Sequence, residues 1–340
     1  MIDVRDVPLG PAAILPANAT LADAWLLFRT TGLAIAPVGA AGSGAGAVLE
    51  SAVRRALQDQ RDPQQPIARI ADAALRVPSR AAAEHALGAD PSLGAVLFDA
   101  ADGPLAVERV VPVVRDAIVM AGGFGTRLRP LTDTTPKPLL DVGGRPLLCR
   151  ILDQLRDAGI ERVHVSVHYL ADQVKALVGD GSAWGLRVRY LEEDRPLGTG
   201  AGLALLGAVD GPFLVMNGDV LTDVSMRAFT RHHHLANNLA TVATYLFAAP
   251  LPYGVVHHDG DRIARIEEKP VYRYPVNAGL YVFSPTVLEL VEHGQPLAMV
   301  DFLNLHVTER RIGRFPLVEY WNDVGSMADY ERARQEVHTL

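Results

Sequence analysis

The alternation of short apolar runs with helix-patterned segments, from about residue 116 onward, constrains the fold of this chain more than any other feature. Runs such as FLVM are apolar at every position, which is typical of strands buried on both faces of a sheet. The pattern predicts an α/β domain with a mostly parallel, doubly wound sheet and helices on both sides. The predicted strands are residues 117–120, 162–169, 187–191, 213–216, 241–247 and 279–283.

The segment RPLLCRILDQLRDAGI, between the first two predicted strands, has the spacing of an amphipathic helix. Pro146 stands near its first turn and Gly159 at its end, where each residue is favoured. Its apolar stripe includes the single cysteine of the chain, Cys149, which cannot form an intramolecular disulfide. We therefore expect Cys149 to be a small buried apolar residue.

Residues 1–115 are richer in alanine and consist of two weakly similar halves, each with a helical pattern and strand-like runs. Thr20, immediately before Leu21, supplies a helix-start signal in the first half. The sequence thus predicts an N-terminal α+β module over 1–115 and a second domain over 116–340, and 340 residues suffice for two cores.

The charge of the chain limits its partners. A formal net charge of -7 argues against a nucleic-acid-binding surface, although it permits a local basic pocket for a small anion. The start MIDVRDVPLG lacks the apolar core of a signal peptide, and no apolar run reaches the length of a membrane helix. We therefore expect a cytoplasmic protein with no nucleic-acid or membrane partner.

The loop MAGGFGTRLRPLTDTTPKPL (120–139) follows the first predicted strand of the second domain and joins backbone freedom to positive charge. Gly122, Gly123 and Gly125 let the backbone approach an anion closely. A dinucleotide fingerprint would need glycine or alanine at Leu128, and a P-loop would need Gly-Lys-Ser/Thr, so neither motif is present. The prolines around Lys137 hold that lysine on a rigid backbone.

This loop resembles the signature of the sugar-1-phosphate nucleotidyltransferases, and the resemblance continues in order to the end of the chain. The resemblance implies a nucleotide-diphospho-sugar transferase fold, which is Rossmann-like, and transfer of a nucleoside monophosphate to a sugar 1-phosphate with release of pyrophosphate. The motifs that carry it are GGFGTRLRPLT (122–132), PKP (136–138), LGTG (197–200), NGD (217–219), YGVV (253–256), EKP (268–270), VNAG (276–279) and WNDVG (321–325).

The resemblance also assigns roles to individual residues. Arg127, Lys137 and Lys269 are the expected catalytic residues, which would hold phosphate groups and stabilise the leaving group. Two aspartates would bind the Mg²⁺ cofactor, for which few protein carboxylates suffice: Asp219, after the strand FLVM, and Asp323. The residues expected to bind the nucleotide are Gly122, Gly123, Gly125, Thr126, Gly198 and Asn217. Those expected to bind the sugar phosphate are Glu193, Glu268, Lys269, Asn277 and Gly279, although Glu192 and Asp194 are equally available beside Glu193.

The first domain resembles a degenerate tandem CBS-like module, in which residues 53–57 correspond to an arginine-containing helix. The threonine and aspartate that such modules use to hold a nucleotide are missing, since the chain has LESA at 49–52. We favour a structural or interaction role, with a nucleotide effector and a homo-oligomer as open alternatives.

A CBS-like pair joined to this catalytic domain is most similar to the glucosamine-1-phosphate guanylyltransferase branch of legionaminic acid pathways. The expected partners are therefore GTP and glucosamine 1-phosphate. A uridylyl-, thymidylyl- or cytidylyltransferase is the alternative within the fold, and a non-catalytic nucleotide-sensing regulator is the alternative of another class. Three adjacent histidines, 232–234, cannot converge on one ion from a helix, so we expect them on a solvated helix face.

Overall fold

The computed structural model describes residues 3–39, 46–100, 103–307 and 311–337, which form an N-terminal domain followed by a larger α/β domain. The strands of the first domain are β1 (Val4–Pro8), β2 (Ile35–Pro37), β3 (Ala47–Leu49), β4 (Arg76–Val77), β5 (Ala95–Ala100) and β6 (Gly103–Arg109). Its helices are α1 (Leu21–Thr31), α2 (Glu50–Gln58) and α3 (Arg80–Ala89).

The second domain contributes the remaining elements. Its strands are β7 (Asp116–Met120), β8 (Arg162–Val167), β9 (Arg187–Glu192), β10 (Phe213–Asn217), β11 (Val220–Thr222), β12 (Ala240–Pro250), β13 (Val255–Asp259), β14 (Arg262–Glu267), β15 (Val271–Phe283), β16 (Ile312–Leu317) and β17 (Trp321–Asp323). Its helices are α4 (Leu147–Asp157), α5 (Ala171–Val178), α6 (Ala201–Leu205), α7 (Met226–Ala236), α8 (Met299–His306) and α9 (Met327–Glu336).

The core of the second domain is a seven-stranded sheet in the order β16-β12-β15-β10-β7-β8-β9. Four neighbouring pairs are parallel, and β15 is antiparallel to both of its neighbours. The six predicted strands correspond to β7, β8, β9, β10, β12 and β15, so the prediction of an α/β fold is confirmed with a mixed sheet. Because β7 and β10 are adjacent and parallel, the loops after them meet at one edge of the sheet.

Helix α4 follows its sequence signals closely. Pro146 is its N-cap residue, and Gly159 has a φ of 88°, a left-handed conformation that favours glycine after a helix. Its apolar residues Leu148, Ile151, Leu152 and Leu155 are buried against the sheet. Burial of each such side chain contributes about 1.5–3 kcal/mol to folding, which explains why the helix forms here. Cys149 is buried within it, as predicted.

The N-terminal domain contains a four-stranded sheet, β1-β6-β5-β4, and the strand pair β2-β3. Each half runs helix, strand, strand: α1, β2 and β3 in the first, and α3, β5 and β6 in the second. Only the first half continues into a further helix, α2. Thr20 begins α1 with a capping box, in which its hydroxyl accepts from the Asp23 N–H at 3.2 Å.

The prediction of a solvated histidine face on α7 is wrong for His233. This side chain is only 2% exposed, and its two ring nitrogens hydrogen-bond to the hydroxyls of Thr241 and Ser284 at 2.9 and 3.2 Å. Burial lowers its pKa to about 4, so the ring is neutral. Helix α7 packs one face on the sheet, and of the three adjacent histidines only His233 is buried in that face. The local sequence does not show which of the three this is. No helix in the described ranges has the length and apolar character needed to cross a membrane.

Candidate active site

The glycine loop leaves the central strand β7 and is packed too closely for larger residues at two positions. A Cβ atom at Gly122 would lie 2.8 Å from Oε1 of Glu193. Gly125 has a φ of 62°, and a Cβ atom there would lie 3.2 Å from Cβ of Lys137. The loop therefore brings its backbone against both Glu193 and the Lys137 segment.

The turn after β10 lies directly against the start of this loop. The Gly218 N–H donates to the Met120 carbonyl at 2.8 Å, and a Cβ atom at Gly218 would lie 2.8 Å from the same oxygen. This contact fixes Asn217 and Asp219 on either side of the turn. Asp219 consequently projects from the carboxyl edge of the sheet, where ligands of α/β folds bind.

Two carboxylates and two cations converge at this edge. Lys137 is buried at the start of a 3₁₀ helix, and its Nζ donates to Oδ2 of Asp219. Strand β17 pairs with β11 so that Asp323 faces Val220, immediately after Asp219. A Cβ atom at Gly325 would lie 3.3 Å from Nη2 of Arg127 and 3.5 Å from Oδ2 of Asp323, so the guanidinium borders the second carboxylate.

The donor set at this cluster fits a divalent cation that prefers oxygen ligands. Oδ1 of Asp219 and Oδ1 of Asp323 are buried and have no hydrogen-bond partner among the described residues. Burial, followed by the negative charge of Asp219, raises the pKa of Asp323. Two carboxylates that repel each other and leave acceptor atoms unused suit Mg²⁺, which needs few protein oxygens. Asp219 and Asp323 are thus the residues that could hold it.

A second group of predicted residues surrounds Gly279, beside the turn after β10. Gly279 has a φ of 71°, and a Cβ atom there would lie 2.7 Å from Nδ2 of Asn217. Its N–H donates to Oδ1 of Asn277 at 3.0 Å, and Nδ2 of Asn277 donates to the Tyr281 hydroxyl at 2.9 Å. The structure therefore joins three predicted residues, Asn217, Asn277 and Gly279, into one polar corner of the site.

Glu193 is the acidic residue of its segment that points toward the glycine loop. Oε1 accepts from the Ser166 hydroxyl at 2.6 Å, and Oε2 accepts from the Leu197 N–H at 3.0 Å. Neighbouring Glu192 is exposed and pairs with Lys175 at 2.9 Å. Glu193 thus ties β8 to the loop that contains Gly198, and its predicted contact with a sugar stays a prediction.

Other predicted residues lie at exposed positions. Glu268 and Lys269 are exposed beyond the end of β14, and Lys269 has a φ of 46°. Gly198 has a φ of 91°, and its loop is held on the chain before α8, where the Gly200 N–H donates to the Leu297 carbonyl at 2.7 Å. Thr126 is exposed at the start of a 3₁₀ helix. Their predicted ligand contacts remain untested.

Several residues that shape the site were not predicted. The Thr132 hydroxyl donates to the Gly125 carbonyl at 2.8 Å and so fixes the turn of the glycine loop. Phe124 is 44% exposed on the same loop, and its ring centroid lies 5.4 Å from that of Tyr169. Gly325 permits the approach of Arg127 to Asp323. An exposed aromatic residue inside a glycine loop is the signal by which Phe124 could have been found.

Comparison with known proteins places these residues in a family. The chain matches the nucleotidyl transferase family over residues 116–339. It is 34% identical over 223 residues to a mannose-1-phosphate guanyltransferase from Candida albicans, an alignment that covers 63% of this chain and 62% of that protein. The chain therefore spans less than two thirds of the length of this relative.

Solved structures share the fold. A Bacillus anthracis structure in complex with sucrose, assigned to glucose-1-phosphate thymidylyltransferase, has a TM-score of 0.54 and 22% identity over 67% of this chain and 96% of that one. HddC from Yersinia pseudotuberculosis has a TM-score of 0.51 and 25% identity, over 66% of this chain and 100% of that one. HddC is also known in complex with GMP-PN, with the same score and coverage.

Proposed function

Because the chain belongs to the nucleotidyl transferase family, we propose that it transfers GMP from GTP to a sugar 1-phosphate and releases pyrophosphate. The observation that carries this proposal is the cluster of Asp219, Asp323, Lys137 and Arg127 beside the glycine loop. Two cations together with two incompletely satisfied carboxylates suit a reaction in which polyanions are bound and charge moves between them.

The proposed step is an in-line displacement at the α-phosphorus of the nucleotide. An oxygen of the sugar phosphate forms the new P–O bond while the bond to pyrophosphate breaks. A phosphate monoester has a second pKa of about 6, so the attacking oxygen is already ionised and needs no general base. Catalysis then consists of positioning and charge stabilisation, for which Lys137 would lie at the α-phosphate and Arg127 at the leaving group.

Asp219 and Asp323 would hold Mg²⁺, which when bound supplies positive charge to phosphate oxygens. The contact of Lys137 with Asp219 holds the amine beside the same carboxylate. Lys269 would bind the incoming sugar phosphate, and its exposed position leaves it accessible to that substrate.

Guanine as the base is supported by relatives that are guanyltransferases and by the complex of HddC with GMP-PN. For the sugar, the sequence resemblance favours glucosamine 1-phosphate, whereas the Candida albicans relative is a mannose-1-phosphate guanyltransferase. The two substrates differ at C2, where glucosamine has an equatorial amino group that is cationic when protonated and mannose has an axial hydroxyl. Glu268, exposed near Gly254, is the carboxylate proposed to recognise that amine.

Pyrophosphate release tests the proposal directly. The full chain with Mg²⁺ would be supplied with GTP, UTP, dTTP, CTP or ATP, crossed with glucosamine, N-acetylglucosamine, mannose and glucose 1-phosphates. We expect turnover with GTP and glucosamine 1-phosphate, and Glu268→Gln should reduce kcat/KM for that sugar about tenfold, equivalent to 1.4 kcal/mol, while sparing mannose 1-phosphate. Turnover with another nucleotide would overturn the base assignment. Nucleotide binding without turnover on any sugar would favour the non-catalytic regulator instead.

We propose separately that the N-terminal domain is a CBS-like module that binds a nucleotide effector. A cavity of about 440 Å³ lies between α2 and α7, and its charged lining includes Arg55, Arg231 and Arg314 together with Glu50 and Asp59. The arginines outnumber the acidic residues, which suits an anionic ligand of this size. Calorimetry with AMP and GMP, comparing the natural chain with Arg55→Ala, tests it, and equal heats from both proteins would reject this site. A cytoplasmic location and a homo-oligomer stay predictions.

A further inference from the structure

Two arginines of the N-terminal domain reach the small strand pair that carries the site aspartates. Strand β11 begins immediately after Asp219, and β17 ends at Asp323, with Val220 and Asp323 facing each other in the antiparallel pair. The Val324 N–H donates to the Asp219 carbonyl at 3.0 Å. The position of one strand relative to the other therefore sets the separation of the two carboxylates.

Arg54, on α2, holds the segment that leads into β17. Its Nη1 and Nη2 donate to the two carboxylate oxygens of Glu319 at 2.6 and 2.7 Å, and Nη1 also donates to the Pro316 carbonyl at 3.1 Å. The side chains of Arg54 and Glu319 are 3% and 1% exposed. A buried, bidentate pair of this kind fixes orientation as well as distance. Only three residues lie between Glu319 and Asp323.

The guanidinium of Arg54 also contacts two aromatic rings. It lies 4.8 Å from the ring centroid of Trp25, in the N-terminal domain, and 4.3 Å from that of Phe315, on β16. Glu50, one turn earlier on α2, accepts from Nε of Arg54 at 2.9 Å. Arg54 is therefore locked to both domains, and Glu319 has a fixed partner.

Arg29, on α1, contacts the other strand of the pair. Its guanidinium forms an ion pair with Asp223, which directly follows β11. Between the two arginine contacts, the Thr222 hydroxyl donates to the Tyr320 carbonyl at 2.7 Å and joins the two strands. Helices α1 and α2 thus each hold one strand of the pair, on the side away from the carboxylates.

We infer that Arg54, assisted by Arg29, is a positioning residue for the active site: through Glu319 it sets the place of Asp323 relative to Asp219. The inference rests on the proposed function, in that the two aspartates form its metal site. It gives the N-terminal domain a role in the reaction that needs no bound effector. Loss of partners that orient metal ligands typically costs metal affinity or activity, so the effect should appear in both.

The test compares Arg54→Met and Arg54→Lys with the natural chain by Mn²⁺ binding, measured calorimetrically without nucleotide, and by the Mg²⁺ dependence of kcat. Arg54→Met should weaken Mn²⁺ binding and lower kcat, each by about tenfold. Arg54→Lys keeps the charge and loses the bidentate contact. Its Mn²⁺ affinity and kcat should therefore lie between those of the natural chain and Arg54→Met. Arg29→Ala, at a half-exposed ion pair, should weaken Mn²⁺ binding by about twofold to threefold.

Two further variants separate positioning from general loss of stability. Leu87→Ala removes a buried side chain from the core of the N-terminal domain and leaves both arginines in place. Arg80→Ala breaks an exposed ion pair with Asp6 inside the same domain. Both should bind Mn²⁺ as the natural chain does at a temperature where all the proteins are folded.

The inference fails if Arg54→Met leaves Mn²⁺ affinity unchanged, or if Leu87→Ala weakens it equally. If Arg54→Met does not fold, Arg54→Lys and Arg29→Ala decide, and natural affinity in both would overturn the inference. A chain that binds Mn²⁺ in an Arg54-dependent way and yet releases no pyrophosphate would contradict the proposed function alone.

Discussion

Two buried charge clusters of this molecule share a composition and differ in how completely their atoms are paired. At the domain junction, Arg54 lies between Glu50 and Glu319, and both Glu319 oxygens accept from it. At the active site, Lys137 lies beside Asp219 and Asp323, where one oxygen of each aspartate has no partner among the described residues. The complete cluster stabilises a fixed geometry, whereas the incomplete one has coordination left for a ligand.

The same contrast appears in the ionisation of the carboxyls. At the junction, burial raises the pKa of Glu319, but the hydrogen bonds and charge of Arg54 outweigh it, so the net pKa is lowered. At the site, burial and Asp219 together raise the pKa of Asp323 in spite of Lys137 and Arg127. A carboxyl whose charge the fold does not stabilise is typical of a functional position.

The largest effect should follow the loss of charge at the incomplete cluster. Asp219→Asn keeps an acceptor for Lys137 and removes the charge of a proposed metal ligand, so kcat should fall about 10³-fold or more, as in the loss of a major electrostatic group. Steady-state pyrophosphate release measures it. Asp210→Asn, at an almost fully exposed side chain, is the matched control and should be neutral. Activity within tenfold of the natural chain would remove Asp219 from the metal site.

At the complete cluster the next largest effect should be on stability. Glu319→Gln leaves the buried Arg54 short of a charged partner, and breaking such a pair should cost roughly 3 kcal/mol in the free energy of unfolding. Chemical denaturation gives that value. The exposed pair of Arg80 is the comparison, since Arg80→Ala should cost less than about 1 kcal/mol. Equal costs for the two substitutions would show that burial does not distinguish them.

A third prediction concerns the lysine of the active site. Lys137→Met keeps the length of the side chain and removes its charge, so kcat should fall about 100-fold with a smaller change in KM for the nucleotide. Lys175→Met, at a surface pair with Glu192, should leave kcat unchanged. A rise in KM with unchanged kcat would instead assign Lys137 to nucleotide binding alone.

The smallest expected effect is on the pH dependence of thermal stability, which should differ between the two clusters. The pKa of Asp323 is raised in the fold, so its charge opposes folding above that pKa, and the penalty disappears as pH falls to its ordinary value of 3.8. Asp323→Asn, with metal chelated, should therefore raise Tm at pH 7 and lose this advantage in acid.

Glu319 should show the opposite sign. Its lowered pKa contributes stability that is present above its ordinary value of 4.5 and is lost as pH falls through the pKa in the fold. Thermal scans of Asp323→Asn and Glu319→Gln between pH 3 and pH 7 check both trends, since the cost of Glu319→Gln should shrink in acid. Parallel pH profiles for the two variants would contradict the comparison.

The sequence by itself determined the elements and the loops that carry the site. Hydrophobic periodicity specifies β7, β10 and α4, and Pro146 and Gly159 mark the start and end of the helix. These signals act locally in the sequence. The glycine loop and the order of the motifs indicated Asp219, Asp323, Lys137 and Arg127. Asp219 meets the loop that carries Arg127 and Lys137 because the parallel neighbours β10 and β7 end at one edge of the predicted sheet. Asp323 reaches the same place through the antiparallel pair of β17 with β11, which was not predicted.

Only the tertiary structure decided what depends on distant packing. Three contacts join residues far apart in the chain: His233 with Ser284, Glu193 with Ser166, and Arg54 with Glu319. The local sequence pattern shows which face of a helix is apolar. It does not show which distant residue will hydrogen-bond to a polar side chain when that side chain is buried. From the sequence of α2 alone, Arg54 would be expected at the surface, and it is buried because the second domain packs against this helix.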